Sequence, residues 1–156
     1  MVSNTLVADN GNAGISVLPT GSNPVMAVFE RVQSNNNAHG FDISGNGMAS
    51  TGIINATVSD SVVFSNSQYG FNANTSPANA ATTLMVVRSV VAKNDTGFIA
   101  SGGGCSCAEI RIGQSAVTGN NTSWSASTGG TIVSYGDNYI DGNADANPAP
   151  PPIVRK

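Results

Sequence analysis

The sequence predicts an all-β fold, a right-handed parallel β-helix (a solenoid) of about five coils, on three observations. An apolar pair, an asparagine, a short gap and then Gly with a bulky apolar residue recur at intervals of 26 to 30 residues. Within most copies apolar and polar residues alternate with a period of two, as a half-buried strand requires. No stretch offers a capped amphipathic helix, because Gly and Asn interrupt too often.

The copies read Leu6-Val7, Asn10, Gly14-Ile15, then Val32, Asn36, Gly40-Phe41, then Val62-Val63, Asn66, Gly70-Phe71. Val90-Val91, Asn94, Gly97-Phe98 follow, and then a looser Val117, Asn120, Ser123-Trp124. Successive Gly positions, with Ser123 as the fifth, lie 26, 30, 27 and 26 residues apart. The Gly-led segments are one expected strand column. A second comprises Met26 to Phe29, Ile53 to Val58, Leu84 to Val87 and Ile110 to Ile112, rich in β-branched residues. One copy cannot bury its own apolar residues, whereas stacked copies share a continuous core. Strands spaced about 4.8 Å apart make a prism about 24 Å long. Stacking makes Ile15, Phe41, Phe71, Phe98 and Trp124 an internal ladder, and Asn10, Asn36, Asn66, Asn94 and Asn120 a second one at a turn.

The 156 residues fit one domain, with the solenoid over 1–147 and a proline-rich tail over 148–156. Tyr135 to Asn143 resembles a partial sixth coil, and the prolines after it lack the amide donor needed to extend a sheet. Charged residues are only 10% and the net charge is −3. Arg31, Arg88, Lys93, Arg111, Arg155 and Lys156 form no basic stripe, which argues against nucleic acid as a partner. No apolar run approaches the roughly 18–20 residues that span a bilayer, and the opening residues are not a signal peptide. Cys105 and Cys107 are expected as idle thiols, since i and i+2 on a strand are awkward for a disulfide. With the lone His39 they are too few for a zinc site, so no metal is expected, and no cofactor motif is present. Gly102-Gly103-Gly104 lacks the Lys-Ser/Thr of a phosphate loop and reads as a flexible turn.

The recurring Asn and Gly-Phe/Ile signature resembles the right-handed parallel β-helix repeats of the pectate-lyase-like superfamily over about residues 4–143. That superfamily includes polysaccharide lyases, hydrolases, epimerases, adhesins and tailspikes. The resemblance therefore implies a fold, a polysaccharide as partner, and an exported or cell-surface origin. It implies no single activity. Its lyases use clustered calcium-binding acids with a basic residue and its hydrolases several clustered Asp; neither set occurs in this sequence.

Two groups of residues are candidates for saccharide contact. The outward side of the Gly-led strands carries Ser16, Asp42, Asn72, Ile99 and Ser125, followed by Ser44, Asn74, Ser101 and Ser127. Asp42 beside Asn72 is its best polar pair. The same stacking aligns Glu30, Asp60, Arg88 and Gln114, where carboxylates and a guanidinium could bind a sugar or act as acid, base and stabiliser. The competing reading is a tight bend built of good turn formers. Two functions stay open. One is a non-catalytic module that binds glycans or serves assembly. The other is a carbohydrate-active enzyme, lyase- or epimerase-like, or a fragment of one. No helix caps Leu6-Val7, so the amino-terminal coil is expected to pair in a homodimer or to continue a longer helix.

Overall fold

The computed structural model describes residues 1–155, and they form a parallel β-solenoid of about five turns without a helix. The first turn contributes β1 (Val2–Ala8) and β2 (Ala13–Val17), the second β3 (Val25–Asn35) and β4 (His39–Ser44). The third holds β5 (Ile53–Ser59), β6 (Val62–Phe64) and β7 (Tyr69–Asn74), and the fourth β8 (Ala81–Val87), β9 (Val90–Ala92) and β10 (Thr96–Ser101). Then come β11 (Ala108–Gly113), β12 (Ala116–Thr118) and β13 (Thr122–Ser127), and a partial turn of β14 (Gly130–Ser134) and β15 (Tyr139–Ile140).

Three faces result. The Gly-led strands form one sheet in the order β13-β10-β7-β4-β2. The other two faces share the long strand β3. Its first part pairs with β5, its last residues pair with β6, and β1 lies along its other edge. Every pairing between these strands is parallel, because one turn of the solenoid supplies the crossover that parallel strands need.

The internal ladder lies in the expected register, Ile15 to Phe41 to Phe71 to Phe98 to Trp124. Phe41, Phe71 and Phe98 are fully buried and stacked with centroids 5.1 and 5.2 Å apart. Each such pair adds about 0.5–1.5 kcal/mol beyond burial. The Gly before each ring is required by a close approach. A Cβ on Gly40, Gly70 or Gly97 would fall 2.6–2.7 Å from the carbonyl oxygen of the residue one turn on. Ser123 can replace Gly in the last copy because no further Gly-led strand stacks beyond β13.

The asparagine ladder differs from expectation at one rung. It runs Asn10, Asn37, Asn66, Asn94, Asn120 and Asn143, with Asn37 where Asn36 was expected. The rung must follow a residue in the left-handed region, and Asn36 is that residue (φ 55°), as are Ser65 and Lys93 before their rungs. From Asn37 on, each Oδ1 accepts from both the backbone N–H and the amide of the previous rung, as Asn94 does from Asn66 at 3.1 and 2.9 Å. A smaller serine ladder, absent from the sequence reading, lines the other corner. Ser61, Ser89 and Ser115 Oγ accept from the backbone N–H of Val32, Ser61 and Ser89 at 3.0–3.2 Å.

Two further expectations change. Cys105 and Cys107 are joined as a disulfide, Cα atoms 5.2 Å apart. They lie in the turn before β11, so strand alternation does not govern them. The proline segment was expected to be unable to extend a sheet, yet it docks against β14 through one carbonyl and one N–H. Pro151 O accepts from Ser134 N at 2.9 Å, and Ile153 N donates to Ser134 O at 2.8 Å. Lacking an amide proton does not prevent proline from accepting.

Candidate functional site

The corner between the second and third faces is a row of left-handed residues, Asn4, Arg31, Asp60, Arg88 and Gln114. Arg31, not Glu30, occupies the second position; Glu30 lies one residue earlier inside β3, in register with Ser3 and Ser59. A single-residue offset thus moves the expected acid off the column. Arg88 grips Asp60 with two hydrogen bonds, 2.8 and 2.7 Å. Those bonds, helped by the charges of Arg88 and Arg31, hold the Asp60 carboxyl below its ordinary value of 3.8 against the opposing effect of desolvation. Arg31 pairs with Glu30 and donates to Asn4 Oδ1 at 2.8 Å. Acids and guanidinia in this corner therefore neutralise one another, and each carboxylate already has a cationic partner.

The outward side of the Gly-led sheet has the expected register, Ser16 to Asp42 to Asn72 to Ile99 to Ser125. Asp42 and Asn72 do meet. Asp42 Oδ1 accepts from Asn72 Nδ2 at 2.9 Å and Asn74 Nδ2 at 3.1 Å. Asn74 Oδ1 in turn accepts from Ser44 Oγ and Asn46 Nδ2 at 2.8 and 2.7 Å. The result is an internally bonded polar strip with a single carboxylate, which provides no acid–base pair.

A more concave region lies on the outer side of the β5-β8-β11-β14 face, around Tyr135. Two adjoining hollows of about 360 and 380 Å³ meet at its ring. Met85, Val87, Gly113 and Gln114 line one; Glu109, Arg111, Val133 and Ile153 line the other. Gly113 admits the ring, since a Cβ there would sit 3.2 Å from Tyr135 Cδ2. Arg111 pairs with Glu109, whose hydrogen bond, opposed by burial and aided by Tyr135, raises the guanidinium above its ordinary value. Arg155 reaches across from the tail, 5.8 Å from the Tyr135 centroid, and pairs with Asp137.

Sequence reasoning reads Tyr135 to Asn143 as a partial sixth coil but assigns it no register and no site, because the last turn is short. Asn138 and Asn143 lie 23 residues after their partners Ser115 and Asn120, outside the 26-to-30 interval. Repeating the Asn search at that shorter step would have aligned Asn143 with Asn120. Nothing in the pattern would have brought Ile153 and Arg155 to Tyr135. Among the described residues no three His, Cys, Asp or Glu side chains converge as a metal site. No protein-family model, curated protein or solved structure matches the chain.

Proposed function

We propose that this chain is a non-catalytic module of the pectate-lyase-like β-helix type that binds a saccharide in the groove around Tyr135. The observation that carries the reading is the groove's composition. A half-buried aromatic ring stands between two ion pairs, Glu109–Arg111 and Asp137–Arg155, in hollows of about 360 and 380 Å³. An aromatic face packs on the C–H side of a sugar, while fixed carboxylate and guanidinium groups bond its hydroxyls. The ion pairs cancel, which suits a neutral or weakly charged saccharide better than a polyanion. The pairing of Asp60 with Arg88 and the lone carboxylate of the Gly-led strip favour binding over bond cleavage. The repeat's likeness to that superfamily supports a saccharide as the ligand class.

The test is a printed array of neutral and acidic polysaccharides, probed with the 156-residue chain and two variants. Wild type should be retained on at least one neutral polysaccharide and release no reducing ends. Tyr135→Ala should lose retention with an unchanged circular-dichroism spectrum, and Asp42→Ala should keep it. Loss with Asp42→Ala alone would move the site to the Gly-led strip. No retention on any polysaccharide would overturn the binding reading, and released reducing ends would overturn the non-catalytic one.

A further inference from the structure

The turn from β10 to β11 is built in a way that the saccharide reading does not use. Gly103 and Gly104 take φ of 60° and 106°, so the chain folds back sharply after Gly102. A Cβ on Gly102 would meet Gly129 O at 2.7 Å, so the turn packs closely on its neighbour in the next coil. Gly104 N donates to Thr128 O at 2.6 Å, and Cys105 N to Gly102 O at 3.1 Å. On the far side Cys107 O accepts from Thr82 N at 2.7 Å. Backbone bonds thus anchor the Cys-Ser-Cys segment at both ends. Neither cysteine is buried, and Ser106 between them is exposed.

We propose that Cys105 and Cys107 form a surface dithiol–disulfide couple that exchanges with small-molecule thiols while the solenoid stays folded. Two arguments separate it from a structural crosslink. A disulfide stabilises chiefly by shortening loops in the unfolded chain, and the effect grows with loop length. A bridge between residues two apart in sequence closes nearly the smallest loop there is. The turn's own backbone bonds hold its shape whether or not the sulfurs are joined. Partial exposure of both cysteines supplies the other requirement, since accessible disulfides are the ones that exchange.

The chemistry balances with a thiol as the named reductant. A thiolate RS⁻ attacks one sulfur, forming a mixed disulfide and releasing the other cysteine as a thiolate, which takes up a proton. A second RS⁻ attacks the sulfur of the bound R group, giving RSSR and freeing the second cysteine. Two electrons and two protons pass from two RSH to the protein. In the reverse direction, the second cysteine resolves a mixed disulfide formed on the first.

The experiment treats the folded chain with reduced glutathione, alkylates it with iodoacetamide and weighs it by mass spectrometry. The expected result is no label before reduction and two carbamidomethyl groups after it. The thermal midpoint should move by less than about 2 °C. Oxidised glutathione should return the reduced wild type to the unlabelled disulfide. Cys107→Ser, which lacks the resolving thiol, should instead retain one glutathione. Three results would each overturn the proposal: labelling only after denaturation, a large fall in the midpoint on reduction, or retained glutathione on the wild type.

Discussion

Single side chains in this solenoid act through columns, so the cost of losing one depends on its neighbours one turn away. Phe71 stacks between Phe41 and Phe98 and is fully buried. Phe71→Ala should therefore leave a cavity and cost about 3–5 kcal/mol in denaturant unfolding. Asn72, next in sequence, faces outward, and Asn72→Ala should cost well under half as much. Similar losses would mean that the strand buries the opposite side. At the turn, Asn94 Oδ1 is the acceptor for Asn66 N and Nδ2, both buried. Asn94→Ala would strand those donors, at about 1–3 kcal/mol for each unsatisfied group. Asn36→Gly, one place before its rung and already in the left-handed region, should stay within about 0.5 kcal/mol of wild type. The Asn94 and Asn36 variants together test whether the rung at the second turn is Asn37.

At the scale of the element, the asparagine corner, and the charged corner from Asp60 on, place a left-handed residue before a polar side chain that bonds the neighbouring turn. The charged corner makes this testable through pH. The folded carboxyl of Asp60 titrates below 3.8 because Arg88 hydrogen-bonds its charged form, so the paired state binds fewer protons than the unfolded chain. Its contribution is complete above 3.8 and disappears as pH falls through the depressed folded value. The gap in thermal midpoint between wild type and Asp60→Asn should then be widest near neutral pH and narrow below about pH 4. Both groups are exposed, so added salt should narrow it too. A gap that ignores both would mean that the pair is held by packing. Asp145 behaves with the same sign. Burial would raise its carboxyl, but hydrogen bonds from Ser123 N, Ser123 Oγ and the Asn147 backbone prevail and lower it. Asp145 is unaltered in Asp60→Asn, so the comparison keeps that second contribution constant.

For the whole molecule, the acids of the last turn are used by protein donors. Asp137 accepts from Gln114 N at 3.1 Å and pairs with Arg155, and Asp145 accepts from Ser123. Adding a chelator should therefore leave the thermal midpoint unchanged; a marked fall would redirect attention to Asp137, Asp141 and Asp145 as oxygen ligands. The tail completes this end, with Trp124 Nε1 donating to Pro148 O at 2.8 Å and Pro150 buried. How far these features could be read in advance differs by kind. The parallel solenoid, its number of turns and its phenylalanine ladder were legible, because stacking forces chemically equivalent residues to recur at one spacing. The Asn36–Asn37 choice was not, since Asn35 to Asn37 offer three equal candidates and only backbone φ distinguishes them. Glu30 and Arg31 pose the same one-residue problem. Asp42 and Asn72 were found because they share the strand register. The approach of Ile153 and Arg155 to Tyr135 was not, as both lie beyond Asn143, the last residue that repeats. The sequence alone determined what repeats, because a repeat is a local regularity that stacking must satisfy. Tertiary structure alone decided the 23-residue step of the last turn, the docked tail and the Cys105–Cys107 bridge, because each depends on contacts made once and not on a pattern that recurs.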